Sequence, residues 1–286
     1  MKTNFNKLHE YLFFIFVFFL IIFFIRSATY NFPHFSSSAE DDSSASSTAN
    51  QEGELREDSS NPSSSSDDTS EAPKILIDAG HQKEPDYSRE NAAPGLNSKV
   101  YKVSTGAQGV STGVWEYELN LAVALKLESA LKDLGYQVAL TRDRHDIHIT
   151  NKERGEMAKE VGADILISLH ADGSSIASAQ GVSVLSPAAN VSFIDEARAN
   201  TSKTLSTFIV DELAKSTGAR NRGVHFRNNL SILNWSEVPT SLVEMGFMSN
   251  VEEDEKMQTE AYQEKLAQGM AKGIHKYFNS IADSEE

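Results

Sequence analysis

Residues 164–169 read DILISL, and the chain runs on through His170, Ala171 and Asp172. Four of those six residues are large aliphatics, in a segment too short for a typical helix. That is the pattern of a strand buried on both faces. Working backward, residues 151–161 read as a helix with Asn151 as its N-cap, and Tyr136–Thr141 (YQVALT) as a strand. Residues 116–135 carry an apolar stripe at Val123, Leu127, Leu131 and Leu134, and Gly135 ends that helix. Lys74–Asp78 (KILID) is a strand that stops at Ala79-Gly80. Working forward, Gly181–Leu185 (GVSVL) and Thr240–Glu244 (TSLVE) read as strands. Residues 194–217 read as a helix closed by Gly218, and residues 260–278 as a last helix with Tyr262, Leu266, Met270 and Ile274 on one face.

Strands alternating with helices predict an α/β fold. It is a mostly parallel, twisted sheet flanked by helices on both faces, in a single catalytic domain over residues 74–281. Residues 82–113, with Pro85, Pro94 and several glycines, read as a long loop. A loop of that length in a compact domain is usually functional.

Outside this domain the composition changes. Residues 11–25 read YLFFIFVFFLIIFFI, with Lys2 and Lys7 before them and Arg26 after. Residues 1–30 therefore read as a signal sequence or a membrane anchor. Either places the remainder outside the cytoplasm, membrane-anchored or secreted, because the lysines stay inside. Residues 31–73 hold ten acids against Arg56 alone, among serine runs, and read as a disordered linker. More than half of the net charge of −15 sits there. The domain itself is moderately acidic, which argues against nucleic acid as a partner. The chain has no cysteine, so a metal site must be built from His, Asp and Glu.

In open α/β sheets the ligand site lies beyond the carboxyl ends of the strands. His81 follows the first strand, His170 follows DILISL and Glu244 ends TSLVE. Glu116 and Glu118 stand at the start of a helix leaving the same edge. A histidine after a strand is by itself most often structural. Two histidines and two glutamates at one edge make a stronger case. A catalytic zinc site needs three nitrogen or oxygen ligands and an open position. A second carboxylate beside it serves as base and then as acid.

Five segments in order, IDAGH (77–81), EYELNL (116–121), LTR (140–142), SLHAD (168–172) and VEMGFMSN (243–250), resemble the motifs of zinc-dependent N-acetylmuramoyl-L-alanine amidases. The resemblance covers about residues 74–281. It implies one zinc ion held by His81, Glu116 and His170, with Glu244 as the catalytic carboxylate. The family's E-x-x-x-N spacing, ending here at Asn120, selects Glu116 over Glu118. The implied reaction is hydrolysis of the amide between N-acetylmuramic acid and L-alanine in peptidoglycan, the implied partner. Another zinc peptidase of wall peptides, or a noncatalytic peptidoglycan-binding module, are the competing readings. Two departures stand out: Ala79 and Asp172 occupy positions where the family often has Pro and Asn.

Other polar residues carry weaker expectations. His145 and His148 read as parts of a solvated loop, and Arg142 as the partner of Asp146 in an ion pair. His225, between Arg222 and Arg227, reads as a surface-loop residue or a contact for substrate carboxylates. His275 lies off the apolar stripe of the last helix and is expected to be exposed.

Overall fold

The computed structural model of the protein describes residues 71–285. The apolar segment 11–25 and nearly all of the acidic linker lie outside the described residues. Among the described residues, no helix is long and apolar enough to cross a membrane.

In chain order the elements are β1 (Lys74–Ala79), β2 (Asp86–Asn91), β3 (Lys99–Val103), α1 (Glu116–Asp133), β4 (Gln137–Leu140), α2 (Asn151–Glu160), β5 (Ile165–Asp172), β6 (Val182–Pro187), α3 (Glu196–Thr217), β7 (Asn221–Arg227), α4 (Ser231–Trp235), β8 (Thr240–Phe247), α5 (Val251–Met257) and α6 (Glu260–Glu285). Six strands form one sheet in the order β4-β1-β5-β8-β6-β7, and β2 pairs with β3 in a separate hairpin. Every neighbouring pair in the large sheet is parallel except β6 and β8.

β5 explains the layering. Ile165, Ile167, Leu169 and Ala171 point into the larger core, shared with Leu127 and Leu131 of α1, Leu205 and Ile209 of α3, and Leu266, Met270 and Ile274 of α6. Leu166 points the other way, into a smaller core with Ala158 of α2 and Ile232 and Leu233 of α4. Each fully buried aliphatic side chain contributes roughly 1.5–3 kcal/mol. The mostly parallel sheet with helices on both faces is therefore as expected.

Local signals set the helix ends. The Thr150 hydroxyl accepts from Glu153 N–H at 3.1 Å, and the Glu153 carboxylate accepts from Thr150 N–H at 2.7 Å. This is a capping box, so the N-cap of α2 is Thr150 and not Asn151. Gly218 ends α3 in the left-handed conformation, at φ 71°, as its position past the last apolar residue suggests.

The expected long loop at 82–113 contains the β2–β3 hairpin. Its strands, DYSREN and KVYKV, are largely solvent-exposed and polar, so no apolar run announced them. β7 was also missed: Gly223 at φ 80° and a register shift between Val182 and Val184 break its alternation. α4 and α5, at five and seven residues, are too short to show a helical period.

Candidate active site

β1 ends at Ala79, and the chain turns at Gly80 and His81. His81 lies in the left-handed region at φ 61°, a cost of about 1–2 kcal/mol for a residue with a side chain. Arg154 of α2 holds the turn: it donates to Asp78 Oδ1 at 2.7 Å, Ala79 O at 2.9 Å and His81 O at 3.0 Å. Arg142 adds bonds to Ala79 O at 2.7 Å, Gly80 O at 3.1 Å and Tyr117 O at 2.7 Å. The expected Arg142–Asp146 ion pair is therefore replaced by a buried guanidinium that satisfies the carbonyls where β1 meets α1.

The turn aims His81 at Glu116, the first residue of α1. His81 Nε2 lies 3.2 Å from Glu116 Oε1, and His170 Nδ1 lies 3.0 Å from the same oxygen. His81 Nδ1 is 2.9 Å from the Ser104 carbonyl. A carbonyl only accepts, so Nδ1 carries the proton and Nε2 keeps its lone pair toward the cluster. Glu116 is fixed in turn by Ala107 N–H on Oε2 at 2.7 Å and Ala171 N–H on Oε1 at 3.1 Å. Asn120, one helical turn later, reaches Gly80 O at 3.1 Å and Glu116 Oε1 at 3.4 Å. Burial alone would raise the Glu116 carboxyl, but the two histidines hold it well below the usual carboxylate range. Burial likewise opposes charge on His81, yet Glu116 raises its pKa.

Glu118 plays a different part. Its Oε2 accepts from Trp115 N–H at 2.9 Å, which caps α1 and turns the side chain away from the cluster.

His81, Glu116 and His170 bring one ligand atom each within 4.8 Å of one another, and the group can hold a metal ion. Two imidazole nitrogens and a carboxylate oxygen form a donor set suited to zinc. The surroundings fit it as well. A Cβ on Gly80 would collide with His170 Nε2, and one on Gly106 would meet the Glu116 carboxylate and the His81 ring. Gly80→Ala is accordingly expected to weaken zinc binding by about tenfold or more. Competition against a chromophoric chelator measures this, and wild-type affinity in the variant would contradict it.

His170 and Glu244 lie inside their strands, which run past them to Asp172 and Phe247. The apolar runs DILISL and TSLVE, which stop before His170 and at Glu244, understate both strands. His170 and Glu244 are register partners across β5 and β8, so their side chains leave the same face of the sheet side by side. Glu244 Oε2 is shut off from solvent and has no hydrogen-bond partner. Burial, then the Glu116 and Asp172 carboxylates, push its pKa well above the ordinary glutamate value, against the pull of Arg227. Asp172 lies two residues beyond His170, half-buried, accepting from Gly173 N–H at 2.8 Å.

The remaining candidates stay outside the cluster. His145 packs edge-on against Tyr117, with ring centroids 5.3 Å apart, so it is half-buried and not solvated; His148 is exposed. His225 is in β7, a strand and not a loop. His275 is half-buried and bonded to the Tyr136 hydroxyl at 2.9 Å, not exposed. No sequence signal pointed to Ser104, which meets His81 Nδ1 through its backbone carbonyl at 2.9 Å and its hydroxyl at 3.3 Å from 23 residues away.

Fold and site together define an α/β domain built around a group competent to hold one metal ion. The profile of the N-acetylmuramoyl-L-alanine amidase family matches residues 75–276, and the chain belongs to that family. YqiI of Bacillus subtilis strain 168, an uncharacterized protein, is 29% identical over 193 residues, covering 66% of this chain and 89% of its own. The N-acetylmuramoyl-L-alanine amidase AmiA of Escherichia coli K12 is 26% identical over 68% of this chain and 81% of its own. The crystal structure of an N-acetylmuramoyl-L-alanine amidase from Clostridium difficile 630 superposes with a TM-score of 0.61 at 25% identity, covering 74% of this chain and 99% of that one.

Proposed function

We propose that the protein hydrolyses the amide between N-acetylmuramic acid and L-alanine in peptidoglycan, with Glu244 as its catalytic acid/base and His81, Glu116 and His170 as the ligands of one zinc ion. The observation that carries this reading is Glu244 standing beside His170 across β5 and β8, next to the three-residue cluster. Zinc bound there supplies Lewis acidity, polarising the scissile carbonyl and lowering the pKa of the attacking water. The chain's own residues do the rest. Glu244 takes a proton from the attacking water and gives it to the departing alanine nitrogen. A carboxylate beside the metal ligands can serve as base for the first half of that transfer and, once protonated, as acid for the second. The Ser104 carbonyl keeps the His81 imidazole in a fixed orientation and tautomer, and the Ala107 and Ala171 N–H groups hold the Glu116 carboxylate.

The site of action is the cell wall outside the cytoplasm. Residues 11–25 are proposed to anchor or export the chain, and residues 31–73 to give the domain reach from the membrane.

Digestion of purified peptidoglycan with and without chelator tests the reaction. Mass analysis is expected to find intact peptides with free N-terminal alanine, lost on chelation and restored by zinc. Release of single C-terminal amino acids would instead mark a wall carboxypeptidase. Binding to wall without release of amines would mark a noncatalytic module.

A further inference from the structure

The β2–β3 hairpin has two different faces. Its inner side is pinned to the domain. Trp235 Nε1–H donates to Asn91 O at 3.0 Å, Asn234 Nδ2–H donates to Ala92 O at 2.9 Å, and buried Glu90 accepts from Lys152 N–H at 3.1 Å. Its outer side carries Tyr87 and Tyr101, which are 54% and 51% exposed. Phe226 is the other exposed large aromatic among the described residues.

The two tyrosine rings meet edge to face with centroids 5.6 Å apart. Arg89, the cross-strand partner of Tyr101, lies 4.7 Å over its ring. Nothing in the core requires these side chains. A pair of exposed aromatic rings on an anchored element is suited to binding, because tyrosine supplies contact area at low entropic cost.

The hairpin also leads directly into the site. The Tyr87 hydroxyl is 3.5 Å from Thr105 Oγ1, and the neighbouring Ser104 carbonyl is the one that orients His81. Thr105 and Ser104 thus join the patch to the carbonyl that orients His81.

We propose that Tyr87, Tyr101 and Arg89 form a docking platform for the glycan strand of the substrate. This inference rests on the amidase reading above. In that reaction the acyl side of the scissile bond is a sugar. Sugar rings present apolar C–H faces that pack on aromatic rings, with hydroxyl and N-acetyl groups around them for donors such as tyrosine O–H and guanidinium. Arg89 and Lys99 add hydrogen-bond donors on the hairpin strands for hydroxyl and N-acetyl oxygens, while Lys102 is paired with Asp86 at 3.4 Å.

The test has two arms on the full chain. In the first, wall glycan strands stripped of their peptides are sedimented with wild type, Tyr87→Ala and Tyr87→Ala/Tyr101→Ala. Wild type is expected to co-sediment, and the double variant to lose about tenfold or more in affinity. Equal retention, or no binding by wild type, overturns the platform. In the second, zinc-loaded enzymes hydrolyse polymeric peptidoglycan and a single-sugar muropeptide. Tyr87→Ala is expected to raise KM on the polymer about tenfold with kcat kept, and to leave the single-sugar substrate within twofold. Equal loss on both substrates overturns the proposal in favour of a structural role. Tyr87→Ala leaves the Arg89–Tyr101 stack in place, so it keeps the test valid if the double variant misfolds. A wild type that binds stripped glycan but cuts neither substrate would refute the amidase reading and leave the platform standing.

Discussion

Glu244→Gln is expected to lower kcat on peptidoglycan by about 10²–10⁴-fold while the protein still binds one equivalent of zinc. The amide keeps the size of the side chain and can still hydrogen-bond, but it cannot take up a proton. The three cluster residues are untouched, so metal content and folding should match wild type. Elemental analysis and single-turnover digestion measure the two quantities separately. A zinc-loaded variant within tenfold of wild type would remove Glu244 from the mechanism. Asp172 would then be the carboxylate to examine, since it sits two residues beyond His170 and contributes to the raised pKa of Glu244.

Arg154→Ala is expected to cost about 3–5 kcal/mol of stability. Arg154 and Asp78 are both fully buried and 2.7 Å apart. Burial alone would raise the Asp78 carboxyl, but Arg154, helped by the Thr141 and Ser168 hydroxyls, holds it below its usual value. Removing the guanidinium leaves a carboxylate in the interior without its charge partner and takes donors from the Ala79 and His81 carbonyls. Urea unfolding measures the loss, and a cost under about 1 kcal/mol would contradict the assignment. The effect belongs to neutral pH. A carboxyl with a depressed folded pKa contributes stability above its unfolded value of about 3.9, and loses it as pH falls through the folded value. Zinc affinity should fall in the same variant, because Arg154 holds the strained His81 turn.

The two expectations connect the core to the chemistry. Asp78, Ser168, His170 and Glu244 lie on one face of adjacent strands, with Asp78 and Ser168 register partners and His170 and Glu244 likewise. The buried end of that row is tied by Ser168 Oγ donating to Asp78 Oδ2 at 2.7 Å. The solvent end carries the candidate metal ligand and the candidate acid/base. Rigidity at one end is what positions the other.

Loop 109–113 follows the same logic from a third direction. Ser111 N–H and Thr112 N–H donate to Asp254 Oδ2 at 2.8 and 2.9 Å, and Thr112 Oγ1 donates to Oδ1 at 2.7 Å. α5 thus fixes the segment that feeds Glu116 into α1. Nothing in the local sequence linked residues more than a hundred positions apart, and this support was invisible until the chain was folded.

The sequence by itself determined the layered α/β fold, because DILISL and KILID can be buried only in a sheet covered on both sides. It also singled out His81, Glu116, His170 and Glu244 as candidates near one edge, although His170 and Glu244 sit within β5 and β8 and not at their ends. Tertiary structure alone decided how these residues meet. The left-handed turn at His81, its Ser104 carbonyl partner, the Arg154–Asp78 pair and the burial of Arg142 all depend on contacts between distant segments. It also separated Glu116 from Glu118 in space, sending one carboxylate to the histidines and the other to the helix cap. Period and capping are written within a few residues of each other, whereas hydrogen-bond partners across the sheet exist only once the register is set.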